Sequence, residues 1–325
     1  MQTRKLGQNG PEVPSICLGG NVYGWTVSES DSFRQLDRAV DAGLNFIDTA
    51  DVYSRWVPSH QGGESETILG KWFASSGRRK DVVLATKVGM DMGDDGEGKK
   101  GLRARYIAQA VEDSLRRLQT DYIDLYQAHT DDASTPLEEA LGAFDTLVKA
   151  GKVRYLGASN YNGARLAEAI ETSRKNGLAE YTSLQPHYNL VERQGYESDL
   201  LPVVQKYSIG VIPYFSLAAG FLSGKYRRGA DASQSARAGM VKKYLNDQGF
   251  AVVDALAEVA DAHSSTPARV ALAWLLAQPG ITAPIASATN DKQLDDLVAA
   301  ADLKLDPASL QRLNDASAPA AAPVR

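Results

Sequence analysis

Eight short apolar runs, separated by helix-like stretches, constrain this chain more than any other feature of its sequence. They cover residues 16–18, 44–47, 82–86, 122–126, 153–158, 182–185, 209–214 and 281–285. They are short and mostly apolar rather than alternating, the pattern of strands buried on both faces. The intervening stretches carry helical periodicity. Residues 30–42 place Phe33, Leu36, Ala39 and Val40 on one side and stop at Gly43, a C-cap signal. Residues 106–118 align Ile107, Ala110, Val111, Leu115 and Leu118. Thr135-Pro136 opens another helix with Pro at its first position and Glu138 and Glu139 in the first turn, ending near Gly151. Strand–helix alternation repeated eight times predicts an α/β fold, a (β/α)8 TIM barrel, as one domain over residues 1–325.

The competing fold is a doubly wound open sheet, which carries a G-x-G-x-x-G turn after its first strand. Here that strand leads into Leu18-Gly19-Gly20-Asn21-Val22-Tyr23-Gly24, which lacks the spacing. Ahead of it, Gln8-Asn9-Gly10-Pro11 lies between Arg4-Lys5-Leu6 and Val13. Asn-Gly is a strong hairpin signal, so an N-terminal β-hairpin is expected to plug the barrel bottom. Three long polar segments, 54–63, 89–101 and 229–249, follow strands and so belong to the C-terminal face, where barrel enzymes carry their active sites. The last is preceded by Arg227 and Arg228 and followed by a helical pattern around 252–262. Residues 317–325, rich in Ala and Pro, are expected to form a flexible tail.

Asp48, Tyr53, Lys87 and His129 each come just after or at the end of one of the early strand runs. An acid, a phenol, an amine and an imidazole gathered there make a proton-transfer set. A phenol is a poor acid near pH 7 unless neighbours lower its pKa, which an ammonium does. Composition narrows the alternatives. A net charge of −5 over 325 residues gives no basic surface for nucleic acid or anionic membrane. The single cysteine, Cys17, excludes an intrachain disulfide and a Cys-rich metal site, and fits a reducing cytoplasm. No H-x-x-x-H pattern occurs, so no metal is expected. No run approaches the ~18–20 apolar residues of a membrane helix, and the segment after Met1 does not read as a signal peptide. Asp51, His187 and His263 read as structural polar residues.

The motifs around these four residues resemble those of the aldo-keto reductase family. Gly43-Leu44-Asn45-Phe46-Ile47-Asp48-Thr49-Ala50-Asp51-Val52-Tyr53 is similar to its first signature. Leu115 through Asp121-Tyr122-Ile123-Asp124-Leu125-Tyr126-Gln127-Ala128-His129 is similar to its second. Ala85-Thr86-Lys87 and Gly157-Ala158-Ser159-Asn160 match two further strand ends, so the resemblance spans nearly the whole chain. It implies reversible reduction of aldehydes and ketones to alcohols by hydride from NADPH, with NADH left open. Tyr53 would be the general acid, Lys87 would stabilise the tyrosinate, Asp48 would pair with Lys87, and His129 would orient the carbonyl.

The same resemblance implies a cofactor lying across the barrel mouth. Gly20 and Asn21 would approach it by backbone, with Asp48 nearby. Ser159, Asn160 and Gln185 would hold the carboxamide, and Tyr214 would stack on the nicotinamide. Phe215, Ser216, Leu217, Gly220 and Lys225 would surround the pyrophosphate. Ser287, Thr289, Gln293 and Asp296 would meet the adenosine end. There the chain departs from the family pattern, with Thr289 near the place of a common arginine and Asp296-Leu297 in place of Glu-Asn. Arg227 or Arg228 would then compensate at a 2′-phosphate, since arginine binds phosphate bidentately. Trp25, Trp56 and Tyr23 are expected to line an apolar substrate mouth beside Tyr53 and His129. Two other readings stay open: a nucleotide-binding regulatory subunit of the potassium-channel β-subunit type, and an isomerase or aldolase using Lys87 as a Schiff base. The oligomeric state is not legible.

Overall fold

Residues 1–93, 98–226, 228 and 238–319 are described by a computed structural model. The Asn9-Gly10 turn reverses the chain as expected: β1 (Thr3–Lys5) pairs antiparallel with β2 (Glu12–Pro14). Leu6 and Val13 of this hairpin are fully buried. They join Cys17, Phe46, Ala85, Leu125, Ile212, Ala283 and Ile285 in one apolar cluster, which makes the hairpin a plug on the barrel interior.

The eight expected strands form one parallel sheet. They are β3 (Cys17–Gly19), β4 (Phe46–Asp48), β5 (Val83–Val88), β6 (Ile123–Ala128), β7 (Val153–Ser159), β8 (Tyr181–Gln185), β9 (Gly210–Val211) and β10 (Ile285–Ala286). Their order is β10-β3-β4-β5-β6-β7-β8-β9. A parallel bridge between Val211 and Ile281, and a bond from Ile285 N–H to Pro213 O at 2.9 Å, join the two ends. The fold is a (β/α)8 barrel. Its seventh and eighth strands are shorter than the apolar runs suggested. Pro213 and Pro284 have no N–H to donate, and each interrupts the ladder. Ile209–Tyr214 therefore shrinks to Gly210–Val211, and Ile281–Ile285 shifts to Ile285–Ala286.

Helices cover the sheet: α1 (Glu29–Asp41), α2 (Glu64–Ser76), α3 (Ala104–Leu118), α4 (Leu137–Lys149), α5 (Gly163–Asn176), α6 (Leu201–Tyr207), the short α7 (Ala238–Val241), α8 (Asp247–Ala262), α9 (Pro267–Leu276), α10 (Asp291–Ala300) and α11 (Pro307–Ala316). Their ends follow local chemistry. Ser28 caps α1 by accepting from Asp31 N–H, and Gly77, at φ 70, ends α2 in the left-handed conformation. Pro136 stands one place before its expected position, as the extended N-cap of α4. Ser317 corrects the start of the expected tail. It is buried, donates to Leu313 O at 2.7 Å and accepts from Arg193 Nη1 at 2.8 Å. The rest of that segment from 320, residues 94–97 of the second long loop, and Arg227 with 229–237 of the third lie outside the described residues. Among the described residues, no helix is long and apolar enough to cross a membrane.

Candidate active site

Side chains alternate along a strand, so residues two apart share a face. Phe46, Ala85 and Leu125 fill the barrel interior from β4, β5 and β6. Two residues further along the same strands come Asp48, Lys87 and Gln127, so these polar groups also project inward at the C-terminal end. The register places Lys87 opposite Gln127, Gln127 opposite Gly157, and Ser159 opposite Gln185. Gly157 is required there: a Cβ would lie 3.0 Å from Gln127 Cγ and 2.5 Å from Ser183 Oγ.

Lys87 is wholly buried, and its ammonium has three donors. All three are used: Asp48 Oδ2 at 2.7 Å, Thr49 O at 2.8 Å and the Tyr53 hydroxyl oxygen at 2.8 Å. Asp48 Oδ2 also accepts from Tyr53 OH at 3.1 Å. Its Oδ1 accepts from Gln185 Nε2 at 2.9 Å and Gln127 Nε2 at 3.3 Å. Both carboxylate oxygens are satisfied, which a buried charge needs.

The expected lowering of the Tyr53 pKa is not found. Burial pushes the phenol well above its ordinary value, and the Asp48 carboxylate adds to this by charge and by hydrogen bond. Tyr53 therefore carries its proton across the neutral range. His129 moves the other way: burial, then the nearby Lys87 charge, hold its imidazole well below its usual range, so it is neutral. The Tyr53 and His129 rings meet edge-on at 6.1 Å. His129 Nδ1 is buried without a partner among the described residues.

Aromatic residues extend from this centre to the surface. Tyr53 lies 6.0 Å from Trp56, and Trp56 meets Trp25 edge-on at 5.5 Å. Trp56 is 48% exposed, so Trp25, Trp56, Tyr53 and His129 form a wall reaching solvent. Tyr23 does not join it. It is fully buried and packs in the core between barrel and helices, while its backbone carbonyl accepts from the Ser54 hydroxyl at 3.3 Å.

The residues expected around a nucleotide are linked to one another. Asn160 Nδ2 donates to His129 O at 2.9 Å and Ser159 Oγ at 3.1 Å, while its Oδ1 accepts from Tyr214 OH at 2.8 Å. Ser159 Oγ donates to Gln185 O at 2.8 Å. Ser287 Oγ donates to Asn21 Oδ1 at 2.6 Å, joining the ends of β10 and β3. Gln293 Oε1 accepts from Thr289 N–H at 2.8 Å. Asp296 is paired with Arg269 at 2.6 Å, and Arg228 with Asp247 at 2.6 Å. Gly20 sits against Asp48 O, where a Cβ would come within 3.0 Å.

The loop after β9 is strained. Phe215, Ala218 and Ala219 adopt φ of 51, 48 and 56, and Gly220 adopts 94. Non-glycine residues seldom occupy this region, and such strain concentrates at ligand sites. Ser216 Oγ fixes the loop to Pro213 O at 3.0 Å, and Leu217 O accepts from Gly220 N–H at 2.8 Å. The Lys225 ammonium would lie 3.2 Å from a Cβ on Gly220, so a cation stands beside the strained backbone.

Three contributors escaped the sequence. Gln127 and the Thr49 carbonyl belong to the Lys87–Asp48 network, and His187 stacks on Tyr214 at 5.2 Å. Gln127 carried a readable signal, because it shares the inward parity of Leu125 on β6.

The model of the Aldo/keto reductase family matches residues 15–318. An uncharacterized oxidoreductase, YrpG, of Bacillus subtilis (strain 168) is 37% identical over 320 residues, 97% of this chain and 95% of that protein. A probable voltage-gated potassium channel subunit beta of Arabidopsis thaliana is 33% identical over 312 residues, covering 93% and 92%. The aldo-keto reductase yakc [NADP(+)] of Schizosaccharomyces pombe is 31% identical over 322 residues, covering 97% and 91%. With a barrel, an inward Asp–Lys–Tyr network and a family match over nearly its full length, the chain belongs to the aldo/keto reductase family and, with it, to the NAD(P)H-dependent oxidoreductases.

Proposed function

We propose that this protein is an NADPH-dependent carbonyl reductase acting reversibly on small aldehydes or ketones, as one barrel domain in the cytoplasm. The observation that carries the reading is the Lys87 ammonium, held by three acceptors of which one is the Tyr53 oxygen. When bound, the reduced nicotinamide supplies the hydride. Tyr53 supplies the proton. Its oxygen accepts from Lys87, so its own O–H is free to turn from Asp48 toward a substrate oxygen. As the proton leaves, the tyrosinate stays in contact with Lys87, and Asp48 keeps that ammonium in place. Placed general acids of this kind contribute ~10²–10⁴-fold.

Neutral His129 lies beside Tyr53, and its ring N–H donates to the carbonyl oxygen without adding charge. The Trp25–Trp56 wall excludes water from the reacting oxygen and favours apolar substituents. The fit to a dinucleotide rests on the strained loop from Phe215 to Gly220 with Lys225 beside it, and on Asn160 and Tyr214 held at the ends of their strands. Ser159 and Gln185 support this end; Asn21, Ser287, Thr289, Gln293 and Asp296 serve the adenosine end. NADPH is favoured by the named cofactor of the yeast relative. Arg269, paired with Asp296, brings to this end a guanidinium that the missing arginine near Thr289 left unsupplied.

The test follows absorbance of NADPH, then NADH, with a panel of aldehydes and ketones. Turnover with NADPH faster than with NADH is expected. Tight nucleotide binding with no turnover would instead favour the regulatory-subunit reading, which the likeness to the plant channel subunit supports.

A further inference from the structure

His187 and Tyr214 follow neighbouring strands and pair with each other as a parallel bridge. Their rings stack at 5.2 Å with 14° between the planes. Phe215 closes the group edge-on, 5.6 Å from His187 and 5.3 Å from Tyr214. Phe215 holds a left-handed backbone, and Asn189 fixes it there by donating from Nδ2 to Phe215 O at 2.9 Å. The Tyr214 hydroxyl is tied to Asn160 Oδ1. The Tyr214 ring is thus fixed at its tip by one hydrogen bond and on one face by an imidazole. Under the proposed function, the opposite face is the one that takes the nicotinamide.

Burial holds the His187 imidazole below its ordinary range; Glu192 opposes this and Lys243 assists it. Those two residues form an ion pair with each other, so neither presents an uncompensated charge to the stack. A neutral ring behind Tyr214 places no positive charge near oxidised nicotinamide, itself a cation.

We propose that His187 is a positioning residue for the cofactor: it backs the Tyr214 ring so that the open face is presented flat to the nicotinamide. Without that backing, Tyr214 gains freedom about its side-chain torsions, and ordering it again weakens binding. The inference rests on reading Tyr214 as the nicotinamide platform.

Dissociation constants separate the two ideas. They are measured by calorimetric titration for NADPH and for 2′-phospho-ADP-ribose, which lacks the nicotinamide. If NADH binds the wild type more tightly, NADH and ADP-ribose replace them. His187→Ala should weaken the dinucleotide about two- to tenfold, the size of one aromatic pair, and leave the fragment unchanged. His187→Phe should restore binding, and His187→Leu, which keeps the volume, should not. Equal loss for dinucleotide and fragment, or full affinity in both His187→Ala and His187→Leu, would overturn the role. Tyr214→Ala is the control. If it weakens the dinucleotide while the His187 variants do not, only the role of His187 fails. If it too leaves binding intact, the platform reading fails and takes the inference with it.

Discussion

Lys87 shows how one residue is specified by its partners. Its three donors meet three acceptors with no water needed, and the pair with Asp48 is fully enclosed. Asp51, three positions on, has the opposite character. It is buried, and both carboxylate oxygens lack a partner among the described residues. Burial first, then the Glu66 carboxylate, hold its pKa well above the usual range, with Arg117 opposing. The sign follows from linkage. Below the unfolded value both states carry the proton, and the stability Asp51 contributes is complete; it is lost as pH rises through the folded pKa. Asp51→Asn should therefore raise the unfolding free energy by on the order of 1–3 kcal/mol at pH 8 and change it little near pH 4. Thermal melts at both pH values check this, and an equal effect at both would contradict it.

Asp48, Tyr53, Lys87 and His129, the residues proposed to react, were legible because polar groups at or soon after the ends of apolar runs stand out. Gln127 is legible only through its parity with Leu125, since within a strand a single amide otherwise reads as a tolerated polar residue. His187 was invisible, because its partner Tyr214 comes near only through the pairing of strand ends remote in sequence.

Among the elements, strand–helix alternation was readable from period and punctuation, but the extents of β9 and β10 were not. Apolar character persists through Pro213 and Pro284, while hydrogen bonding does not. Helix contacts are a further thing that local pattern misses. Gly70 lies inside α2, where helix propensity alone favours alanine by about 1 kcal/mol. A Cβ there would lie 2.0 Å from Arg117 O and 2.8 Å from Leu118 C, at the C-terminal end of α3. Backbone atoms cannot move aside as a flexible side chain would. Gly70→Ala should destabilise the fold by about 1–3 kcal/mol, the usual cost of overpacking, measured as a lower denaturant midpoint. A stabilised variant would show that α2 and α3 are not so closely packed.

At the scale of the whole molecule, the hairpin plug and the network proposed to carry the chemistry lie at opposite ends of the barrel. The hairpin plug contributes Leu6 to the inner cluster at the bottom, while the Lys87 network sits at the top. Leu6→Ala should cost about 2–5 kcal/mol of stability and leave the affinity for NADPH within twofold, compared by melts and titration. A large loss of affinity in a folded variant would show that the two ends are coupled. The proposed role of Tyr53 is to deliver the proton. Tyr53→Phe removes one oxygen and keeps the ring against Trp56 and His129. The variant should bind NADPH as the wild type does and reduce an aldehyde ~10²–10⁴-fold more slowly in single turnover, whereas a rate equal to that of the wild type would rule Tyr53 out as the proton donor.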